Sequence, residues 1–237
     1  MTQDQIKRKV IDAGRILEAE GHGDLARGHI SVRVPGDPGR FYMKAHGFGL
    51  DEITLDNLVV CDLEGEKTAG GAPRHSEVYI HSEIYRLRAD VACVLHTHPD
   101  YTVAFSATGL ELRPLSQPAA AFFEGLSTYT DTIDLIRSKD MGAGVARALG
   151  PNKAVLLKNH GVAVVGASIE ETVILALMLE NACRLQILTL SAGRLAPEFP
   201  RADVLRLQDK ITRPDQYSVN FEYLRRKHAH PDKRGQA

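Results

Sequence analysis

Three histidines of this sequence follow apolar segments, at spacings that suit the binding of a metal ion. His96 and His98 come at the end of the β-rich segment 91–95, and His160 comes shortly after a second such segment, 154–158. Because side chains alternate along a strand, histidines two residues apart point to one face and can converge on a single ion. Neutral imidazole is a common ligand of divalent first-row metals, and catalytic sites usually combine three protein ligands with an open position.

His160 decides between two interpretations of the pair formed by His96 and His98. Two histidines at a strand end are about equally consistent with ordinary hydrogen bonding, so the pair alone does not predict a metal. A third histidine, far along the chain and again next to a strand end, favours a shared ion. Gly161 supports this interpretation, because a residue without a Cβ atom lets the backbone approach closely. The sequence therefore predicts a divalent metal centre.

Glu77 is a fourth candidate for this centre. It is expected in the first turn of a helix over 76–88, where the positive end of the helix dipole stabilises a carboxylate. A carboxylate beside a metal can act as a ligand or as a general base. The alternative is an ordinary glutamate of a first helical turn, which is the more frequent case for such a residue on its own.

Composition excludes several classes of function. The 237 residues carry a formal net charge of −1 with a pI near 6.8, so the surplus of lysine and arginine typical of nucleic-acid binding is missing. Cys61, Cys93 and Cys183 are too scattered for a disulfide framework or a cysteine-based zinc site, and we expect buried free thiols in a reducing compartment. The first residues do not resemble a secretory leader, and no apolar stretch approaches the ~20 residues that span a bilayer. We therefore expect a cytoplasmic protein that binds neither nucleic acid nor membrane.

Hydrophobic periodicity predicts an α/β protein with one core. Apolar residues at helical spacing predict helices over 6–20, 76–88, 141–149 and 169–192, with a short helical turn at 51–58. Alternating or continuous apolar runs predict strands over 30–34, 41–44, 59–63, 91–95, 111–115, 154–158 and 162–166. From about residue 197 we expect a polar, irregular tail with one short helical stretch near 202–210. No linker separates two cores, so residues 1–237 are expected to form a single domain.

The order of four short motifs resembles that of the class II aldolase/adducin-like family. The motifs read GHISVR from Gly28, SE from Ser76, HTHP from His96 and KNHG from Lys158, within a similarity that extends over about residues 5–195. This resemblance implies a three-layer α/β/α fold around a mostly antiparallel central sheet. It also implies a homotetramer with active sites at subunit interfaces.

The same resemblance assigns roles to the candidate site residues. Four side chains would bind a divalent ion, with zinc favoured and manganese, cobalt or iron as alternatives: His96, His98, His160 and Glu77. Glu77 would also be the catalytic acid/base residue, which can bind the metal before substrate arrives. In this family a tyrosine often assists proton transfer. Three tyrosines are candidates for that role, although a structural role is the better interpretation of each: Tyr129, Tyr217 and Tyr223.

The chain departs from the sugar-phosphate aldolases of this family around the substrate phosphate. Those enzymes hold phosphate with small polar residues, which let backbone amides reach the ligand. This chain has larger, basic residues at or beside the corresponding places: Arg27, His29, His46, Arg74 and His75. Guanidinium and protonated imidazole pair well with carboxylates, so the set predicts a small-molecule carboxylate substrate rather than a phosphorylated one. Each of the five on its own is equally well explained by facing solvent.

These departures resemble the decarboxylase branch of the family, and in particular 3,4-dihydroxyphthalate decarboxylases. We therefore predict a metal-dependent carbon–carbon lyase that decarboxylates a non-phosphorylated hydroxy-aromatic acid or keto acid through a metal-stabilised enolate. One alternative is a class II aldolase that cleaves a hydroxy-keto acid or a sugar phosphate. Another is an adducin-like interaction module without catalysis, against which the intact histidines and Glu77 argue.

Overall fold

The computed structural model describes residues 2–193 and 197–228, whose strands and helices are built around one sheet. The strands are β1 (His29–Val34), β2 (Asp37–Lys44), β3 (Leu58–Asp62), β4 (Lys67–Ala69), β5 (Cys93–Thr97), β6 (Leu126–Tyr129), β7 (Ala154–Leu157) and β8 (Gly161–Gly166). The α-helices are α1 (Gln3–Leu17), α2 (Val78–Leu87), α3 (Asp100–Thr108), α4 (Gln117–Ala120), α5 (Lys139–Leu149), α6 (Ile169–Ser191), α7 (Arg201–Ile211) and α8 (Pro214–His228). A π-helical turn, Glu18–His22, extends α1.

The strands form one sheet in the order β4-β3-β2-β1-β5-β8-β7-β6. Neighbouring strands are antiparallel except β6 and β7, which are parallel. Helices α2 and α5 cover one face, where Ile84 and Val145 belong to the same apolar cluster as Val94 of β5. Helices α1, α3, α6 and α8 cover the other face, where Leu179 and Leu95 belong to a second cluster. The expected three-layer α/β/α fold with a mostly antiparallel sheet is confirmed.

Strand pairing brings the candidate residues to the same end of the central strands. β1 and β5 are antiparallel with His29 opposite His96, and β5 also pairs with β8, which begins directly after His160. At Gly161 the packing is so tight that an added Cβ atom would lie 2.5 Å from the Thr97 carbonyl oxygen. The close backbone approach expected at this glycine is therefore present, and it places the β7–β8 turn against the end of β5.

Among the helices of the described residues, one, the 23-residue α6, is long and apolar enough to cross a membrane. The expectation that no stretch approaches this length was therefore wrong. The apolar character has another explanation, because α6 contacts α1, α3, α4 and α8, and its buried residues Val173, Leu175 and Leu179 join the core. Its first turn is capped by Ser168, whose hydroxyl accepts a hydrogen bond from the Glu171 amide, as the sequence predicts.

The C-terminal region differs most from its prediction. The short helix expected near 202–210 is present as α7, but a second helix, α8, follows it where an irregular tail was expected. Tyr217, Phe221 and Leu224 are buried and pack into the core beneath α1 and α6. Their spacing of four and three residues is that of one helix face, which the many charged residues around them concealed. Residues 194–196 and 229–237 lie outside the described part of the chain.

Several short elements also differ from the sequence prediction. Residues 111–115 do not form a strand, and residues 51–58 contain turns but no helix. The short elements β4, β6, α3 and α4 were not predicted, because few residues carry their periodicity. Cys61, Cys93 and Cys183 are buried free thiols, as expected.

Candidate metal centre

Three imidazole rings meet where β5 ends beside the β7–β8 turn. The Nε2 atoms of His96 and His98 are 3.0 Å apart, and the ring centre of His160 lies 5.0 Å from that of His96 and 5.3 Å from that of His98. One nitrogen of each ring lies within 4.8 Å of the others, so the three rings could hold a single ion. The structure thus brings together the three histidines that the sequence predicts as ligands.

Hydrogen bonds made by the Nδ1 atoms of His96 and His98 leave the Nε2 atoms, which face the centre, without protons. Nδ1 of His96 donates to the Val162 carbonyl oxygen at 3.1 Å, and Nδ1 of His98 donates to Oδ2 of Asp24 at 2.9 Å. Because a neutral imidazole carries one ring proton, Nε2 of each ring then presents a lone pair to the centre. Partners of this kind orient metal-binding histidines and raise their basicity. Asp24 is a site residue that the sequence analysis missed, since nothing in its local sequence connects it to His98.

His160 has two buried ring nitrogens without a hydrogen-bond partner among the described residues. Its Nε2 lies 3.7 Å from Oε1 of Glu77, which is beyond ordinary hydrogen-bond distance. Buried polar atoms without partners are costly and are rare in folded proteins. A divalent ion between the three rings would satisfy one of these nitrogens, so the residues present fit a resident metal.

Glu77 lies beside the three rings, immediately before α2. Its side chain does not cap the helix; instead, Oε1 accepts a hydrogen bond from the Ile136 amide at 2.9 Å. Oε2 lies 3.8 Å from Nε2 of His29 and 4.0 Å from Nε2 of His96, and these three residues form a second group that could hold an ion. Burial raises the pKa of Glu77 above its usual value. This effect is opposite to the stabilisation by a helix dipole that the sequence suggested.

Burial lowers the pKa values of the imidazoles around the centre. The pKa of His75 falls to about 3 and that of His160 to about 4, while those of His29 and His96 fall well below the usual value for histidine. Neighbouring imidazoles and cations act in the same direction as burial. The rings are therefore neutral at physiological pH, which suits metal binding. Burial therefore disfavours the positive charge that the sequence suggested for His29 and His75.

One of the five predicted substrate-binding residues lies beside a candidate metal-binding ring, and a second packs on the first. His29 is fully buried, and its ring centre lies 5.0 Å from that of His96. The ring of His75 packs on His29 at 4.0 Å between centres. His46 is exposed, with its ring centre 5.5 Å from that of His75. The three imidazoles thus form a row that leads from the centre to the surface.

The two arginines of the predicted set are engaged elsewhere. Arg27 is largely exposed and forms an ion pair with Asp24 at 2.8 Å. Arg74 lies over the Tyr79 ring at 5.6 Å, and its Nη1 donates to the His75 carbonyl oxygen. In the described residues, neither guanidinium contacts a predicted metal ligand, so substrate binding by the arginines stays a prediction.

Lys44 and Arg137 are charged residues near the centre that the sequence analysis missed. Lys44 is fully buried at the end of β2, where Nζ donates to the carbonyl oxygens of Ala26 and Phe48, and burial lowers its pKa to about 8. Arg137 is exposed but close enough to lower the pKa of Glu77 by its charge. Their sequence neighbourhoods resemble those of ordinary surface cations, so only tertiary packing reveals their place.

Comparisons with known proteins identify the family of this chain. Residues 8–187 match the family model of the class II aldolase and adducin N-terminal domain. The decarboxylase NovR of Streptomyces niveus is 35% identical over 186 residues, which cover 78% of this chain and 68% of that protein. A 3,4-dihydroxyphthalate decarboxylase of Terrabacter sp. is 29% identical over 218 residues, which cover 86% of this chain and 89% of that protein.

Solved structures show the same fold. L-fuculose 1-phosphate aldolase from Glaciozyma antarctica superposes with a TM-score of 0.85 at 26% identity, over 96% of this chain and 90% of that chain. An aldolase II superfamily protein from Pseudomonas syringae superposes equally well, with a TM-score of 0.85 at 29% identity, over 96% and 93% of the two chains. The chain belongs to the class II aldolase and adducin N-terminal domain family.

Proposed function

We propose that this protein is a metal-dependent carbon–carbon lyase that decarboxylates a non-phosphorylated hydroxy-aromatic acid, of the 3,4-dihydroxyphthalate type, or a keto acid. The observation that carries the proposal is a pair of buried imidazoles, of which His29 lies beside the His96 ring and His75 packs on His29. Rings of this size are unlike the small residues that let backbone amides cradle a phosphate. Flat imidazole faces and N–H groups suit a planar acid instead. The similarity to proteins named as decarboxylases supports the same chemistry.

In the proposed reaction, the bond between a substrate carbon and its carboxylate breaks. CO2 leaves, and the electron pair stays on the substrate until a proton reaches the carbon. A divalent ion held by His96, His98 and His160 would supply a Lewis acid that stabilises the developing negative charge. Glu77 would supply the proton, because its carboxyl oxygens lie 3.7 Å from Nε2 of His160 and 4.0 Å from Nε2 of His96, and the Ile136 amide fixes one of them.

The proposal extends to the ion and the assembly. Zinc is the proposed ion, because three imidazoles with an open position are typical of catalytic zinc sites. Manganese, cobalt and iron are the alternatives. We also propose a cytoplasmic homotetramer with active sites at subunit interfaces, in which exposed residues beside the centre, such as His46 and Arg137, meet the substrate or a neighbouring subunit.

Aldol cleavage is the second candidate function. The structural similarity to L-fuculose 1-phosphate aldolase favours it. Aldol cleavage also leaves negative charge on carbon, so it requires the same Lewis acid and the same carboxyl group. A non-catalytic module is disfavoured, because the three histidines form one group that could hold an ion, and Glu77 forms a second with His29 and His96.

Metal and product analysis test the proposal. The purified protein, loaded with zinc, is incubated with 3,4-dihydroxyphthalate and, separately, with L-fuculose 1-phosphate. We expect CO2 from the first compound and no aldehyde from the second. Aldehyde from the second without CO2 from the first would replace the decarboxylase by an aldolase. A protein that binds no stoichiometric divalent ion would contradict both candidate functions.

A further inference from the structure

The ammonium group of Lys44 is buried at the end of β2, where it contacts two loops. Nζ donates to the carbonyl oxygen of Ala26 at 3.0 Å, to that of Phe48, and more weakly to that of Ala45 at 3.5 Å. The side chain is fully buried, so bulk water does not compete for these bonds. An ammonium group has three hydrogens to donate, and three carbonyl oxygens are in place to accept them.

The Ala26 carbonyl group belongs to a turn that precedes β1 and lies against the metal centre. The Arg27 amide donates to the Asp24 carbonyl oxygen at 3.0 Å, which closes the turn, and we name residues 24–27 the Asp24 turn. The Asp24 carboxylate accepts the hydrogen bond from Nδ1 of His98 at 2.9 Å. One short turn therefore carries both a contact to the buried ammonium group and a contact to a candidate metal ligand.

Leu25, between these two contacts, has an unfavourable backbone conformation. Its φ is 54°, in the left-handed region that residues with a Cβ atom rarely adopt. Its side chain is 81% exposed, so packing of that side chain contributes little that could offset the cost. Such a conformation persists where neighbouring groups fix it from outside. Here Asp24 is bound to His98 on one side of Leu25, and Ala26 is bound to the ammonium group on the other.

The second loop that the ammonium group contacts follows β2 and has anchors of its own. The His46 amide donates to the Pro73 carbonyl oxygen at 3.0 Å, and the Gly49 amide donates to Oε2 of Glu52 at 2.7 Å. Lys44 itself is fixed in the sheet, where β2 pairs with β1 and β3. The ammonium group therefore connects the Asp24 turn to two well-anchored parts of the structure.

We propose that Lys44 is a positioning residue of the metal centre: its ammonium group fixes the Asp24 turn, and through Asp24 it orients the ring of His98. Partners that orient a ligand in this way support metal binding although they do not touch the ion. The inference rests on the proposed function only in treating His98 as a metal ligand. It does not depend on which carbon–carbon bond the enzyme breaks.

The charge of Lys44 and its hydrogen bonds should affect a bound ion in opposite directions. Burial is the main cause of the low pKa values of His29 and His75, and the positive charge of Lys44 adds to it. The same charge disfavours a metal cation nearby, so its loss alone would strengthen zinc binding. Loss of the hydrogen bonds would release the Asp24 turn and weaken zinc binding. A weaker affinity in a neutral variant therefore reports positioning and not electrostatics.

The zinc affinity of Lys44→Met, measured by competition with a chromogenic chelator, tests the proposal without any substrate. Methionine is a long, neutral side chain that cannot donate a hydrogen bond. We expect the affinity to fall by about 10-fold, as is typical when the support of a ligand is lost. In the Asp24→Asn background the same substitution should have little further effect. Unchanged or tighter binding in Lys44→Met, or equal losses in both backgrounds, would overturn the proposal.

Arg33→Met is the matched control. Arg33 is a half-buried cation at the other end of β1, where its guanidinium donates to the carbonyl oxygens of Val91 at 2.8 Å and Tyr85 at 2.6 Å. Its loss should lower the free energy of unfolding and leave the zinc affinity unchanged. A zinc loss equal to that of Lys44→Met would overturn the specific role of Lys44. If Lys44→Met does not fold, Lys44→Gln replaces it with the same expected results, because its neutral side chain is too short to reach both loops.

Hydrogen exchange in the metal-free protein tests the Asp24 turn directly. The Arg27 amide is the probe, because its hydrogen bond closes the turn. We expect this amide to exchange faster in the Lys44 variant than in the wild type and at an unchanged rate in Arg33→Met. An unchanged rate in the Lys44 variant would overturn the proposal. A wild-type protein that binds no zinc would refute the proposed function instead, and the exchange rate of Arg27 would then decide whether Lys44 fixes the turn.

Discussion

A methyl group at position 161 is a small change that should disturb the metal centre without altering a ligand. A Cβ atom on Gly161 would lie 2.5 Å from the Thr97 carbonyl oxygen and 2.6 Å from Cδ2 of His98. Ordinary contact of such an atom begins at 3.4 Å, so its neighbours would have to move by about 1 Å. The backbone of Gly161 is outside the left-handed region, so Gly161→Ala acts through crowding and not through φ.

A displacement of this size is large for a catalytic centre. A misplacement of about 1 Å can lower a rate by about 100-fold, and disturbed support of a ligand lowers metal affinity by about 10- to 100-fold. Overpacking costs the folded state about 1–3 kcal/mol, which a domain with about 5–15 kcal/mol of stability survives. We therefore expect Gly161→Ala to fold, to bind zinc about 10- to 100-fold more weakly and to turn over about 100-fold more slowly.

Two measurements separate the effect of Gly161→Ala on the centre from its effect on the fold. Competition with a chromogenic chelator gives the zinc affinity, and urea unfolding of the metal-free protein gives the stability. Gly125→Ala is the control, because the atoms nearest to an added Cβ there lie 3.8 Å away or farther. We expect the control to bind zinc as the wild type does. Unchanged zinc affinity in Gly161→Ala would refute the reasoning, since the ligand rings would then tolerate the displacement.

Three further predictions concern ligand support, the proton donor and the pH range of the fold. Asp24→Asn should weaken zinc binding by about 10-fold or more, because His98 loses its carboxylate acceptor; an unchanged affinity in chelator competition would contradict the tautomer inferred for His98. His96→Ala should lose zinc and turnover together, whereas Glu77→Gln should keep most of the zinc and lose most turnover; full turnover in Glu77→Gln would remove the carboxyl from the mechanism. Burial lowers the pKa of His22 from 6.5 to about 4, so below pH 6.5 the unfolded chain binds a proton that the folded protein excludes. As the pH falls from about 6.5 to 4, this residue should therefore lower the free energy of unfolding of the metal-free protein by up to roughly 3 kcal/mol. Urea unfolding as a function of pH should show a smaller fall for His22→Gln. An equal fall in the variant and the wild type would contradict this assignment.

The convergence of the candidate metal ligands could be predicted in part, because local rules govern some of it. The convergence of His96 and His98 follows from the alternation of side chains along one strand. Glycine is required at position 161 because the backbone there passes close to the Thr97 carbonyl oxygen and leaves no space for a Cβ atom. His160 joins the pair through the non-local pairing of β5 with β8. The position of His160 beside a second strand end suggested this proximity, and the order of the family motifs supported it.

The surroundings of the ligands could not be predicted, because burial and long-range packing decide their chemistry. In sequence, His29 and His75 look like solvent-facing basic residues, and only the fold shows that burial keeps them neutral. His81 lies within α2, and its bond to His29 depends on how that helix packs across β1. Lys44 ends a strand as many exposed lysines do, yet it is fully buried and donates to carbonyl oxygens.

The neutrality of the imidazoles changes what can attract a carboxylate to this centre. Protons on His29, His75 and His96 would lose hydration and repel one another, so these rings contribute dipoles and not net charge. In the proposed reaction, positive charge comes from the bound ion and from residues such as Arg137, which already acts on Glu77. A substrate carboxylate would interact with the same positive charges, and ionisation of the Glu77 carboxyl would then be less favourable. Substrate binding would therefore favour the protonated carboxyl, which is the form that donates the proton after CO2 leaves.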